Sequence, residues 1–152
     1  MTMTSFSKKN SDYLEKLISQ QLELLEKYLV EVSVQTEYIQ FDDDEGLTLS
    51  LQAQGEIVKE LDKLHKKTAP LIVAYQKSPQ ASDDSCYIGK ALTRIKAILK
   101  ESSELNEQNL KSAAEKKAEY SELINKLKTD QKGISGYKQQ ITETSDLFDK
   151  KQ

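Results

Sequence analysis

The chain has 152 residues and a formal net charge of −3, and hydrophobic residues make up 37% of it and charged residues 31%. A chain of this length is enough for one domain. It has only five Gly, two Pro and no Trp, which favours long helices over sheets. Its mean hydropathy of −0.66 favours narrow apolar seams along those helices over a broad core. Acidic and basic residues are interspersed and Arg94 is the only Arg, which argues against nucleic-acid binding because that function needs a concentrated basic face.

The number of cysteines and the N-terminal sequence indicate the cellular compartment in which the protein is expected. A single cysteine, Cys86, cannot form an internal disulfide, which is typical of proteins in a reducing compartment. The first 14 residues contain no apolar stretch of the secretory type, and no apolar run approaches the roughly 20 residues of a membrane span. We therefore expect a soluble cytoplasmic protein that does not insert into a membrane.

The first predicted helix runs from about Ser7 or Ser11 to Gln40. Its apolar stripe alternates spacings of three and four, the spacing of a coiled-coil seam. The stripe consists of Leu14, Ile18, Leu22, Leu25, Leu29, Val32, Thr36 and Ile39.

An acidic break, FDDDEG at residues 41–46, separates this helix from the next. Asp42 followed by Glu45 predicts a helix N-cap with its reciprocal carboxylate. The alternative is a calcium loop, but the EF-hand order would place Phe41 at its first position and Gln52 at its twelfth, where acidic ligands are required. The cap is the favoured interpretation.

A second helix is predicted to run to about Gln76 with the same alternation, and Pro70 predicts a kink or a break near Ala69. After a loop at residues 77–85, a third and longest helix is predicted from about Asp84 to Asp130. Its middle, residues 100–112, is weakly apolar and is expected to fray or bend.

Two glycines, Gly133 and Gly136, are predicted to end the third helix, with Gly133 as a left-handed C-cap. Residues 133–152 then repeat the three-four spacing over a short helical pattern that is stable only against a partner surface. The predicted fold is all-α: an elongated antiparallel bundle of three long amphipathic helices in a body of residues 1–132, and a short C-terminal helical segment, residues 133–152, after a glycine hinge.

Residue types that carry chemistry are sparse. His65, the only histidine, lies at a seam position, where a buried and satisfied imidazole is expected rather than a catalytic one. Cys86 stands beside a predicted helix N-terminus without a histidine in a nucleophile pattern, which favours a small apolar filler. GISG at residues 133–136 lacks the Lys-Ser/Thr of a phosphate loop, and the carboxylates alternate with Lys as on a solvated helix face. We expect no enzyme activity, no cofactor and no metal.

Two segments resemble the FlgN family of flagellar type III export chaperones. The first is YLEKLISQQLELLEKYLVEVSVQTEYIQFDDDEGLTLSLQAQGEIVKELDKL, residues 13–64, which is similar to the family's first helical hairpin with its acidic break. The second is YSELINKLKTDQKGISGYKQQITETSDLFDKKQ, residues 120–152, which is similar to the family's ending. Pro70 and the polar middle of the third helix depart from the pattern.

The resemblance implies a cytoplasmic chaperone that binds hook–filament junction proteins before their export by the flagellar type III machinery. In that family the C-terminal amphipathic segment carries the client contacts. Transferred by position, the partner-binding residues are Ile134, Tyr137, Ile141, Leu147 and Phe148.

Three alternatives remain open. Taken without the resemblance, the residues of the C-terminal segment favour its folding back onto the protein's own helices as the fourth member of a bundle, and the resemblance favours the client instead. The sustained seam spacing of the first two helices also allows a structural coiled-coil protein that self-associates. A flagellar chaperone of the FliT type, which serves the filament cap protein, is a third alternative.

Overall fold

The computed structural model describes residues 6–82, 86–116 and 121–149, with the side chains of 121 and 145–149 excepted. These residues form four long α-helices and one short 3-10 turn: α1, Lys8–Gln40; α2, Asp44–Gln76; the turn, Pro79–Ser82; α3, Tyr87–Glu115; and α4, Ser121–Asp149. The described part of the chain contains no strand. The predicted all-α class is therefore confirmed.

The start of α1 follows the sequence pattern, but its buried face follows the predicted stripe only in part, because Leu22 and Leu29 are half-buried and Thr36 is exposed. Ser7 caps the helix, because its Oγ accepts a hydrogen bond from the Asn10 amide at 3.1 Å. The buried residues recur every three or four positions, so one face of the helix turns inward along its whole length. That face includes Leu14, Ile18, Gln21, Leu25, Tyr28, Val32, Gln35 and Ile39.

A tight turn joins α1 to α2. Asp43, one residue beyond the predicted Asp42, caps α2: its Oδ1 accepts from the Gly46 amide at 2.9 Å. Asp42 instead adopts the left-handed conformation, with φ of 55°. Gly46 permits the close return of the chain, since a Cβ there would lie 2.7 Å from the ring of Tyr38. The predicted cap position was therefore wrong by one residue.

The second helix continues through Pro70 to Gln76, so the break predicted near Ala69 does not occur. Proline costs a helix one hydrogen bond and causes a steric clash. Thr68 and Ile72, on either side of Pro70, are both buried, and their packing holds the helix together across it.

The four helices form two antiparallel hairpins that lie side by side. Helix α1 packs against α2 and α3, and α4 packs against α2 and α3. Arg94 of α3 contacts Glu26, and Lys116, the C-cap residue of α3, contacts Ile39, so α3 runs parallel to α1. The connection between α2 and α3 therefore joins helices that are diagonally opposed in the bundle.

The predicted end of the third helix and the glycine hinge are corrected by the structure. Helix α3 ends at Glu115 rather than Asp130, and α4 runs from Ser121 through both Gly133 and Gly136, neither of which has a positive φ. The bundle therefore has four long helices, and the predicted boundary between residues 132 and 133 falls inside α4. Burial of the stripe beyond the glycines outweighs their helix penalty, which is about 1 kcal/mol each.

Candidate partner-binding site

The segment that the resemblance assigned to client contact lies in the second half of α4. Ile134, Tyr137 and Ile141 occupy successive turns and are buried in the main core, and Tyr137 is 0% exposed. Leu147 and Phe148 belong to the same helix, but their side chains lie outside the described residues. In this conformation the first three side chains are covered by the protein's own helices, as in the four-helix alternative.

Polar groups surround Tyr137. Its hydroxyl accepts a hydrogen bond from Gln21 Nε2 at 2.9 Å, which joins α4 to the diagonally opposite α1. The His65 ring of α2 meets the Tyr137 ring edge-on, with centroids 5.8 Å apart and an angle of 81° between the planes. Burial raises the pKa of the Tyr137 hydroxyl above its ordinary value of 10.0.

His65 is buried at its seam position, as predicted. Burial lowers its pKa below 6.5 and the carboxylate of Asp62 opposes the shift, so the ring is predominantly neutral at pH 7. The predicted full satisfaction of the imidazole does not hold, because Nδ1 has no hydrogen-bond partner within the described ranges. Gln21, which also contacts Tyr137, has its Oε1 buried without a hydrogen-bond partner among the described residues.

A second polar group lies about two turns away along α4. Tyr28 of α1 donates its hydroxyl hydrogen to Asp130 Oδ2 at 3.0 Å and accepts from Asn106 Nδ2, also at 3.0 Å. Burial raises the pKa of Asp130 to about 6, and the Tyr28 hydrogen bond opposes the shift. Asp130 Oδ1 is enclosed without a partner among the residues described.

The polar middle of α3, expected to fray, is an ordered and buried layer. Asn109 Nδ2 donates to the Val32 carbonyl at 3.0 Å and to Gln35 Oε1 at 3.1 Å, and Asn109 Oδ1 accepts from Thr36 Oγ1 at 2.7 Å. Ser102 and Asn106 are buried on the same face. The signal was present in the sequence, because positions 99, 102, 106, 109 and 113 keep the seam spacing without interruption.

A groove of about 410 Å³ lies between α2 and the first half of α4, beside Asp130. Gly55 lines it on α2, and a Cβ added there would meet no atom within 4 Å. The other lining residues are Thr48, Leu51, Gln52, Asn125, Lys126 and Thr129. Packing of α4 on α2 is therefore incomplete along this stretch.

The groups that α4 buries define what the site can do. Three of them, Gln21 Oε1, His65 Nδ1 and Asp130 Oδ1, lack partners within the described chain, and each such group costs about 1–3 kcal/mol. The apolar stripe of α4 thus docks on a layer that is polar and incompletely hydrogen-bonded. This chemistry suits exchange of one helix for another.

The single cysteine and the distribution of possible metal ligands do not point to a second functional site in the described part of the chain. Cys86 is the N-cap residue of α3 and is half-buried against the main core. Among the described residues, no cluster of three or more His, Cys, Asp or Glu side chains is placed to hold a metal ion. Within the same ranges no helix is both long and apolar enough to cross a membrane.

No family model, curated protein or solved structure matches this chain. The buried stripe of α4 and the polar layer beneath it are the features on which a function is proposed.

Proposed function

We propose that the protein is a cytoplasmic chaperone of the FlgN type that binds hook–filament junction proteins before their export by the flagellar type III machinery. Ile134, Tyr137 and Ile141 form an apolar stripe at helical spacing, and the resemblance assigns this stripe to client contact. The observation that carries the proposal is that the stripe rests on polar groups of Gln21 and His65 that are only partly hydrogen-bonded. A helix docked in this way is suited to leave its own bundle for a client.

The free energies of docking and release support such an exchange. Undocking exposes the stripe, but it returns the unpartnered groups to water, and each of these costs about 1–3 kcal/mol when buried. Gly133 and Gly136 lower the helix propensity of the same segment by about 1 kcal/mol each. A client bound with micromolar affinity supplies about 8 kcal/mol, enough to compete with docking that is weakened by these terms.

Client recognition would use helix-against-helix packing. The released stripe of α4 would lie on an amphipathic terminal helix of the client. Covering that helix would prevent premature polymerisation. The ordering free energy lost on binding keeps the affinity moderate, which suits release at the export gate. No catalytic step, metal or cofactor enters the proposal.

A reversible lock on α4 tests the exchange. A Cβ built on Gly133 lies 3.3 Å from Val58 Cγ1, so the two β carbons are no more than about 5 Å apart, close to the roughly 3.5–4.5 Å of a disulfide. Val58→Cys with Gly133→Cys, in a Cys86→Ser background, would tie α4 to α2 when oxidised. Serine is a favourable residue at the N-cap position of Cys86.

Binding of purified hook–filament junction proteins is then measured by calorimetry. The oxidised double-cysteine protein should not bind, and the reduced form should bind as the Cys86→Ser parent does. The parent treated with the same oxidant controls for other effects of oxidation. Equal binding by the locked protein would refute release of α4, whereas no binding by any form would refute the chaperone function itself.

A further inference from the structure

The α1–α2 hairpin has an acidic tip that the proposed client site does not use. Between Tyr28 and Val58 the sequence contains seven acidic residues and no Lys or Arg. Subtracting these seven charges from the total of −3 leaves +4 on the rest of the chain. The acidic residues are Glu31, Glu37, Asp42, Asp43, Asp44, Glu45 and Glu56.

Within the described ranges, one cation from outside the hairpin reaches this tip. Lys116 Nζ at the end of α3 contacts Asp42 Oδ1 at 2.9 Å and also donates to the carbonyls of Ile39 and Gln40. Its charge is thus directed to the end of α1. Glu37, Asp44 and Glu45 are exposed, and their side chains form no hydrogen bond or ion pair with other described residues.

Large apolar side chains are exposed on the same hairpin. Phe41 is 73% exposed, Val30 60% and Leu49 59%, and these are three of the five large apolar side chains exposed in the described chain. Val34 and Ala53 lie one helical turn from Val30 and Leu49 and are half-buried.

The pairing of α1 with α2 brings these side chains to one face. Ser50 Oγ donates to Glu31 Oε2 at 2.8 Å, which fixes the register of the two antiparallel helices. The next residues on the outward side, Val30 and Val34 of α1, therefore stand across from Ala53 and Leu49 of α2. We define Val30, Val34, Phe41, Leu49 and Ala53 as the hairpin-tip surface; from residue 30 to residue 41 it spans roughly 16 Å, about three helical turns.

We propose that the hairpin-tip surface binds a basic amphipathic helix of another protein. Between residues 29 and 57 the charged side chains of the hairpin are all carboxylates, and an apolar strip in such surroundings is complementary to a helix whose apolar side is flanked by Lys or Arg. The same charge repels nucleic acid and anionic lipid surfaces. The proposal does not depend on release of α4, because it uses a different face of the bundle.

A designed peptide provides the probe. It is a fluorescein-labelled helix of about 18 residues, or five turns, of Leu and Lys with Leu at the i, i+3, i+4 and i+7 positions. Two comparison peptides have the same composition in scrambled order and Glu in place of Lys. Fluorescence anisotropy is measured at about 50 mM and about 300 mM salt, between which the Debye length shortens from roughly 14 to 6 Å.

Two sets of variants separate apolar from electrostatic recognition. Val30→Gln with Leu49→Gln should weaken binding of the amphipathic peptide by about tenfold or more, as expected for loss of the apolar centre of an interface. Glu37→Gln, Asp44→Asn and Glu45→Gln together should weaken binding at low salt and reduce its salt dependence. Asp43 is left intact because it caps α2.

A matched control comes from the opposite end of the bundle. Tyr13 is 49% exposed and Tyr87 41% exposed near the starts of α1 and α3, and Tyr13→Ser with Tyr87→Ser should leave peptide affinity unchanged. All altered side chains are exposed, so circular dichroism should show equal helicity in every variant.

Four outcomes would overturn the proposal. The first is absence of binding, and the second and third are that the scrambled peptide or the Glu peptide binds as tightly as the amphipathic Lys peptide. The fourth is wild-type affinity in Val30→Gln with Leu49→Gln. Light scattering supplies a fifth: a dimer of the wild-type protein that dissociates in Val30→Gln with Leu49→Gln would mean that a second copy of this chain covers the surface.

Discussion

The buried carboxylate of Asp130 should make the bundle less stable at neutral pH than at mildly acidic pH. Asp130 lies between α1 and α4, where its Oδ2 accepts from Tyr28 and its Oδ1 is enclosed without a partner among the described residues. Asp130→Asn preserves the shape of the side chain and leaves an amide oxygen that can accept the Tyr28 hydrogen bond. It removes the charge at every pH.

The sign follows from the direction of the shift. Burial raises the pKa of Asp130 from 3.8 to about 6 in the folded state. The folded protein therefore binds this proton more tightly than the unfolded chain. The resulting stabilisation is complete below pH 3.8 and is lost as pH rises through 6. A shift of about two units corresponds to roughly 3 kcal/mol at neutral pH, and the partial exposure of Asp130 reduces the expected penalty to about 1–3 kcal/mol.

Urea unfolding at pH 4.5, 6.0 and 7.5, followed by circular dichroism at 222 nm, measures the difference between the variant and the wild type. Asp130→Asn should be more stable by about 1–3 kcal/mol at pH 7.5, and the gap should shrink towards pH 4.5. His65, whose pKa burial lowers, makes an opposite contribution that is lost as pH falls, but it is present in both proteins and cancels in the difference. Asp12→Asn, which removes an exposed carboxylate from α1, controls for net charge. A gap that stays constant with pH, or a less stable variant at pH 7.5, would refute the reasoning.

Two further predictions concern α4. Tyr137→Phe should lower the free energy of unfolding by about 1–2 kcal/mol, because it leaves the Gln21 amide without its acceptor. Urea unfolding at pH 7 measures the loss. An unchanged midpoint would mean that this hydrogen bond does not contribute to stability. Gly136→Ala should raise stability by about 0.5–1 kcal/mol, because an added Cβ meets no atom within 4 Å. Gly55→Ala on α2 has the same open surroundings and should give a similar gain, whereas a loss in either variant would contradict the space that the structure provides.

The first two helices could be predicted from the sequence because the spacing of the apolar residues and the position of the helix-capping turn agree there. Apolar residues at three-four spacing run without interruption to Gln40, and the acidic turn that follows contains the cap of the next helix. Asp43 rather than Asp42 became the cap because Asp42 adopts a left-handed backbone conformation at the turn. The local sequence therefore predicted that an aspartate caps α2, but the predicted position was wrong by one residue.

The second half of the chain was predicted less well because tertiary packing overrides local preference. Gly133 and Gly136 disfavour helix by about 1 kcal/mol each, yet Ile134, Tyr137 and Ile141 are buried around them and keep α4 continuous. The end of α3 at Glu115 falls within KSAAEKKA, residues 111–118, a Lys- and Ala-rich stretch made mostly of good helix formers. Propensity gave no signal for an end there.

The apolar stripe of α4 could be predicted from the sequence, but the residues that surround it could not. The spacing of Tyr137 and Ile141 identified the stripe, and its assignment to client contact came from the resemblance and stays a prediction. The hydrogen bond from Gln21 joins residues 116 positions apart in the chain. Such a pairing depends on which helices are diagonal in the bundle, and the periodicity of one helix contains no information on that.

The two proposed surfaces lie at separate positions along the bundle. Gln21 marks the level of Tyr137 on α1, and the hairpin-tip surface begins nine residues further along that helix and ends at Phe41, roughly 14–30 Å away at 1.5 Å per residue. That surface lies on the exposed side of α1 and α2, whereas α4 packs on α2 and α3. Release of α4 would therefore leave the α1–α2 pairing and its register in place. A client helix and a basic helix of a second protein would not compete for the same side chains. If both proposals hold, this separation would let one small bundle bind a client and a second protein at the same time.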